Sequence, residues 1–348
     1  MSNQSVASET YPALNRQSWL APHRLVWMAV WLVTTVALVA MLVHGVRNTG
    51  QYRVVRTVLH VVYVVALLWH LSRTGPPLEQ LSDLEPLVLR RRKIGRWIPV
   101  LGVAFMLAFT ALRDEGVGIL MLLLVIATAW LLVVWHREIR VRPAILGLTV
   151  AVIAFLGGLP FWKNGFVSKA MFVVLLAFVP LMFVAGGLLF QHTGLGGSQL
   201  YTGRYGKALA SFLWGCLLFV PLGLINAAGG SPGGGLTWVT RWWMPCTLPW
   251  FSGIAEEVWY RLFLVSLCYL LLRPAFSKRP VLAVLSATLF SAITFGLGHG
   301  RTLDRLLETG LLHGLPMAIV FARRDWEHAV GAHYMINMIP WLMVFLET

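Results

Sequence analysis

Long, nearly uncharged apolar runs recur along this chain, and nothing else in it constrains folding as strongly. They lie at Val26–Val46, Thr57–Ser72, Ile98–Leu112, Val117–Trp135, Ala144–Trp162, Ala170–Phe190, Ala208–Ala228, Thr247–Leu272, Val281–Gly298, Leu307–Ala322 and Ala329–Leu346. A helix of about 20 such residues crosses the roughly 30 Å hydrocarbon core of a bilayer. Only 12% of the residues are charged and 58% are hydrophobic, against the roughly 25% charged usual for soluble domains. The runs are continuous rather than alternating with period two, which selects helices over a barrel. The expected fold is an all-α, polytopic transmembrane helical bundle. Eleven spans are counted, with eight as the lower bound because the second, third and tenth runs are short. The first run is longer than the apolar region of a cleaved signal peptide and follows a mostly polar leader, so it reads as a retained anchor.

A net charge of +14 could suggest nucleic acid, but its placement argues otherwise. Most Lys and Arg fall between the runs, as in Arg90-Arg91-Arg92-Lys93 and Arg323-Arg324. There they orient the chain and meet anionic headgroups. No basic stripe interleaved with aromatics marks a nucleic-acid surface. With eleven spans, the N-terminus and even-numbered loops carry 18 Lys and Arg, against 9 for the odd-numbered loops and the C-terminus. The excess places the N-terminus in the cytoplasm, with the inner or plasma membrane of a prokaryote as the expected location. Cys216, Cys246 and Cys268 form no CxxC pair and suggest no disulfide framework.

Residues 227–245 read AAGGSPGGGLTWVTRWWMP. The glycines hold a helix poorly, and Trp238, Trp242 and Trp243 suit the membrane interface. This break divides residues 1–245, a multi-span scaffold without chemical motifs, from a C-terminal unit, residues 246–348.

The C-terminal unit carries polar groups that a lipid-facing helix would not. In GIAEEVWYRLFL, Glu256, Glu257 and Arg261 interrupt an apolar span, and each ionisable group at a helix centre costs roughly 2.5–3.5 kcal/mol on insertion scales. Glu257 and Arg261 are four apart and pair on one helical face. Glu256 is turned about 100° away and has no such partner. The next run ends with Phe295 and His299, and the last places His333 and Asn337 four apart on one face. Each pair alone is equally explained as interhelical glue or as an interfacial residue. Together they offer an unpaired carboxylate, two imidazoles and an amide on three spans. Polar groups inside a membrane face the bundle interior or a wet cavity, and a pocket with a base, donors and water is what hydrolysis needs.

The ordered set EExxxR (Glu256, Glu257, Arg261), FxxxH (Phe295, His299) and HxxxN (His333, Asn337) resembles the motifs of the CAAX protease and bacteriocin-processing family of intramembrane glutamate proteases. The stretch GLLHGLPMAIVFARRDWEHAVGAH also resembles that family's approach to the last motif, although Leu262 stands where many relatives carry glycine. The resemblance covers roughly Cys246–Leu346. It implies an endopeptidase acting on a membrane-associated protein or peptide, lipid-modified or not, with no cofactor. By the resemblance, Glu256 activates a water that His299 holds, and His333 and Asn337 donate to the oxyanion. Glu257 and Arg261 form a supporting pair, with Phe295 beside them.

Three other readings compete. Glu256, His299 and His333 could instead ligate zinc, although no HExxH helix is present. A transporter could relay protons through the same groups, but no inverted repeat is visible. A non-enzymatic scaffold or immunity protein would keep the fold without the chemistry. His60, His70, His136, His192, His313 and His328 show no partner in the sequence and read as packing or interfacial residues.

Overall fold

The computed structural model describes residues 21–43, 50–74, 116–165, 169–229, 238–300 and 302–347. Among these residues every regular element is helical. In chain order come α1 (Pro22–Val43), α2 (Gly50–Thr74), α3 (Gly116–Val134), a 3-10 turn at His136–Glu138, α4 (Val141–Lys163), α5 (Lys169–Thr193) and α6 (Tyr205–Ala228). Next, α7 (Met244–Glu256) passes directly into a π-helical stretch, Glu257–Val265, and on into α8 (Ser266–Leu272). After α9 (Pro280–His299) come a short turn at Leu303–Arg305, a second π-helical stretch at Leu306–Gly314, α10 (Leu315–Arg323) and α11 (Trp326–Glu347).

Among the described residues seven helices are long and apolar enough to cross a membrane, so the chain is an all-α polytopic bundle. Of the eleven runs read from sequence, Ile98–Leu112 lies outside the described residues and the other ten fall on helices. The second run, short by hydropathy, belongs to a helix of 25 residues. Its first turns, with Arg53 and Arg56, are polar enough to hide their helicity from an apolar-run count. The run Thr247–Leu272 is omitted from the seven spans because α7, the π-helical stretch and α8 divide it into 13, nine and seven residues.

α4 turns its small residues inward and most of its branched apolar ones outward, a pattern of helices packed in lipid. On α4, Gly147, Val150, Ala151, Ala154 and Gly158 are buried, while Ile145, Leu148, Val152 and Leu156 are exposed. Several hydroxyls inside spans are satisfied within their own helix. Thr128 donates to the Leu124 carbonyl and Thr193 to that of Leu189, both at 2.7 Å; such bonding to the preceding turn removes a polar group that lipid cannot solvate.

The hub is the pairing of α6 with α11, which is flanked by α7, while α4 runs along α5 and α7. One buried core joins Leu38, Phe183 and Phe219 to Val258, Phe263 and Ile336, on both sides of residue 245. Helices before the Gly/Pro break therefore wall the C-terminal unit directly. At the α6–α11 crossing, a Cβ on Gly331 would strike the Phe212 carbonyl oxygen and one on Gly215 that of His328. Backbone meets backbone there. Replacing Gly331 by Leu is expected to cost at least 1–3 kcal/mol, the usual range for overpacking, read as a fall in thermal midpoint in detergent.

The α5–α6 loop is tied to the start of α11 by buried acids. Glu327 accepts from Ser198 Oγ at 2.6 Å and from the backbone N–H groups of Gln199 and Leu200 at 3.0 and 2.8 Å. Asp325, between α10 and α11, accepts from the His328 backbone N–H at 3.0 Å, from the His328 ring at 2.7 Å and from Ser211 Oγ at 2.8 Å. Burial alone would raise the Asp325 carboxyl, but the bonds from His328 and Ser211 outweigh it and hold the group below its ordinary value. A depressed carboxylate contributes stability fully above its unfolded pKa of about 3.9 and loses it as pH falls through the lower folded value. Thermal melts in detergent are thus expected to lose this contribution only below about pH 4. Asp325→Asn should flatten that acid limb.

Candidate active site

α7 delivers Glu256 as its last residue, and the π-helical stretch begins with Glu257. The wider turn leaves the Glu257–Arg261 pair intact, with Arg261 Nε 3.2 Å from Glu257 Oε2 and both side chains fully buried. Arg261 also lies over the Phe295 ring at 4.2 Å and donates to the Gly314 carbonyl at 3.4 Å. Ion pair, cation–π contact and backbone acceptor together compensate a guanidinium that has left water.

Glu257 has a second partner. Its Oε1 lies 2.8 Å from Nδ1 of His333, brought in by α11. The carboxylate is thus shared between Arg261 on its own helix and His333 across the bundle. The sequence spacing showed only the first of these bonds.

Glu256 faces the two histidines. Its Oε2 lies 3.6 Å from His299 Nε2 and 3.8 Å from His333 Nε2. Both distances exceed a direct hydrogen bond and suit a bridging water. The rings are fixed from behind, because His299 Nδ1 lies 2.9 Å from the Phe295 carbonyl and His333 Nδ1 sits on Glu257. A carbonyl oxygen only accepts, so the His299 proton resides on Nδ1, and in the neutral ring the Nε2 lone pair faces Glu256. Phe295 packs between the rings, with centroids 4.5 Å from His299 and 5.8 Å from His333. The inner half is dry and the outer half open: His333 and Glu257 are 4% and 0% accessible, Glu256 and His299 28% and 38%.

Asn337 lies one turn beyond His333 on α11, and its amide nitrogen donates to Ser252 Oγ at 2.8 Å. Ser252 is four residues before Glu256 on α7, the spacing that shares a helical face. That spacing was the available signal for Ser252, which the motif reading passed over. The structure therefore brings Glu256, His299 and His333 together with Glu257, Arg261 and Phe295, while Asn337 hydrogen-bonds to Ser252.

Several of the histidines without a sequence partner have one in the fold. His328 pairs with Asp325, and His192 lies 3.0 Å from Glu138. His60 of α2 stands 4.7 Å from His313 in the second π-helical stretch, ring centroid to centroid. Both are buried, and His313 adjoins Gly314, whose carbonyl takes the Arg261 bond. A helix from outside the C-terminal unit thus backs the support of the site. His60→Ala should reduce stability by about 1–3 kcal/mol, because it removes a buried ring from its contact with His313 and leaves a void, as measured by thermal melts.

Among the described residues no three of His, Cys, Asp and Glu are arranged to hold a metal ion. Residues 236–339 match the family model described as type II CAAX prenyl endopeptidase Rce1-like. No curated protein and no solved structure matches the chain. The matched stretch contains Glu256, Glu257, Arg261, Phe295, His299, His333 and Asn337, and over it the chain is similar to the Rce1-like CAAX prenyl endopeptidases.

Proposed function

We propose that the chain is an intramembrane endopeptidase that hydrolyses a peptide bond of a membrane-associated protein by a water activated on Glu256. The carrying observation is the position of Glu256 Oε2 between the Nε2 atoms of His299 and His333, at 3.6 and 3.8 Å. A water there gives one proton to the Glu256 carboxylate and is steered by the His299 lone pair while its oxygen attacks the carbonyl carbon. The tetrahedral oxyanion needs donors. With Nδ1–H committed to Glu257, His333 donates from Nε2 only when its ring carries both protons, and the Glu257 carboxylate supplies the countercharge for that form. Asn337 serves as a second donor by exchanging its Ser252 bond for the oxyanion. Collapse of the intermediate breaks the C–N bond, and the proton held by Glu256 passes to the departing amine. No acyl-enzyme forms.

Zinc is the competing reading, and one observation favours it. Both imidazoles are held at Nδ1 by an acceptor and present Nε2 toward one carboxylate, the outer-shell pattern of metal-bound histidines. The test is cleavage of a reconstituted membrane-anchored substrate by purified protein treated with phenanthroline. Full retention of activity supports the glutamate mechanism, and loss restored by zinc overturns it.

A further inference from the structure

We propose that the site opens on the face of the membrane opposite the cytoplasm, so that it cuts the extracytoplasmic juxtamembrane segment of a membrane-anchored protein. This rests on the protease reading above and adds the side from which substrate arrives.

Contacts between helix ends define the two faces of the bundle. At one face, His23 at the start of α1 lies beside His70 near the end of α2, with ring centroids 6.1 Å apart. Arg323, at the end of α10, donates to the Leu71 and Ser72 carbonyls of α2 at 3.2 and 3.1 Å. The Trp326 backbone N–H donates to the Gly197 carbonyl in the α5–α6 loop at 2.7 Å, and Arg142 at the start of α4 reaches Tyr205 at the start of α6 at 3.2 Å. The α8–α9 connection emerges at this same face, since α9 starts there and ends at the other. At the opposite face, Arg56 near the start of α2 pairs with Glu308 at 3.7 Å, and Gly229 after α6 lies against Arg56. His299 and the Leu303–Arg305 turn are on that side.

The basic residues divide unequally between the faces. Of the described Lys and Arg outside the membrane interior, twelve lie at the first face, among them Arg73, Arg140, Lys207, Lys278 and Arg324, and six at the second. Short loops enriched in Lys and Arg stay in the cytoplasm. The first face is therefore cytoplasmic. The structure contributes what the sequence count could not, because helix ends tied by contact share a side whatever the number of spans.

The site faces away from that side. His299 is the last residue of α9 and adjoins the exposed turn Thr302–Arg305. Glu256 and His299 are its accessible members, whereas the inner members Glu257 and Arg261 are fully buried. A protein anchored by a prenyl group in the cytoplasmic leaflet would present its C-terminus on the wrong face.

The test is thiol labelling of the full-length chain in a Cys246→Ser background, which removes the exposed native cysteine. Thr302→Cys and Lys278→Cys replace exposed residues on opposite faces. With a membrane-impermeant maleimide, the Thr302→Cys protein is expected to label in intact cells and the Lys278→Cys protein only after lysis. The reverse pattern, or equal labelling of the two, overturns the assignment. Labelling requires no proteolysis, so the assignment fails or stands independently of the protease reading, which Glu256→Gln tests separately.

Discussion

Glu256→Gln is expected to remove cleavage of a membrane-anchored substrate, lowering the rate by about 10²–10⁴-fold, the range for loss of a positioned general base. The amide is nearly the same size and cannot take the proton of the attacking water. Folding should be almost untouched. Glu256 is partly accessible and forms no pair with Arg261, so the substitution strips no buried cation of its partner. The decisive measurement is a paired one, product formation in proteoliposomes beside the thermal midpoint of the same preparation. Activity lost with the midpoint preserved supports catalysis. Wild-type cleavage by the Gln variant would sink the assignment of Glu256 as base.

Glu257→Ala is expected to behave in the opposite way, with stability failing first. It leaves Arg261 buried beside Phe295 with only the Gly314 carbonyl, and removes the acceptor from His333 Nδ1. Breaking a buried pair by deleting one partner costs roughly 3–5 kcal/mol, because an uncompensated charge remains. The double variant Glu257→Leu/Arg261→Met removes both charges with little loss of volume, and should recover most of that stability, as apolar replacement of buried pairs commonly does. It should not recover catalysis, since His333 still lacks the carboxylate that orients it. A double variant as unstable as Glu257→Ala would show that the ion pair is not the principal structural term. One that is stable and fully active would remove Glu257 from the mechanism.

How far the sequence could be read follows from what each residue needs. Lipid solvates no backbone group and few side chains, so apolar runs had to become helices, and ten of the eleven fall on helices in the described residues. The same scarcity made Glu256, His299 and His333 visible, because an ionisable group in such a run requires a reason. Their meeting was legible only as a resemblance, since three helices separated along the chain converge through packing that no local spacing encodes. Spacing did find the Glu257–Arg261 pair, yet missed the His333 bond to Glu257, 76 residues away. Ser252 was overlooked because a serine in an apolar helix usually bonds to its own backbone. His60 and His313 were read as packing residues because their meeting joins two helices far apart in the chain. The π-helical stretches were invisible because their composition does not differ from that of the α-helix around them.

Those two stretches have a consequence for how the protein tolerates change in length. The turn that opens with Glu257 holds more residues than an α-helix needs for the same height, and side chains from other helices meet the carbonyls it leaves, as Ser291 does at Tyr260 with a 2.8 Å bond. Removing one residue from Leu262–Val265 would let the segment rewind toward α-helix while the helix on either side nearly keeps its facing, because the π turn already accommodates the extra residue. Glu256, Glu257 and Arg261 all precede such a deletion and would stay in register. The same deletion in an ordinary α-helical span would rotate everything after it by about 100°. Along this helix, the wide turn is where a residue can be lost with least disturbance to the Glu256 carboxylate and its support.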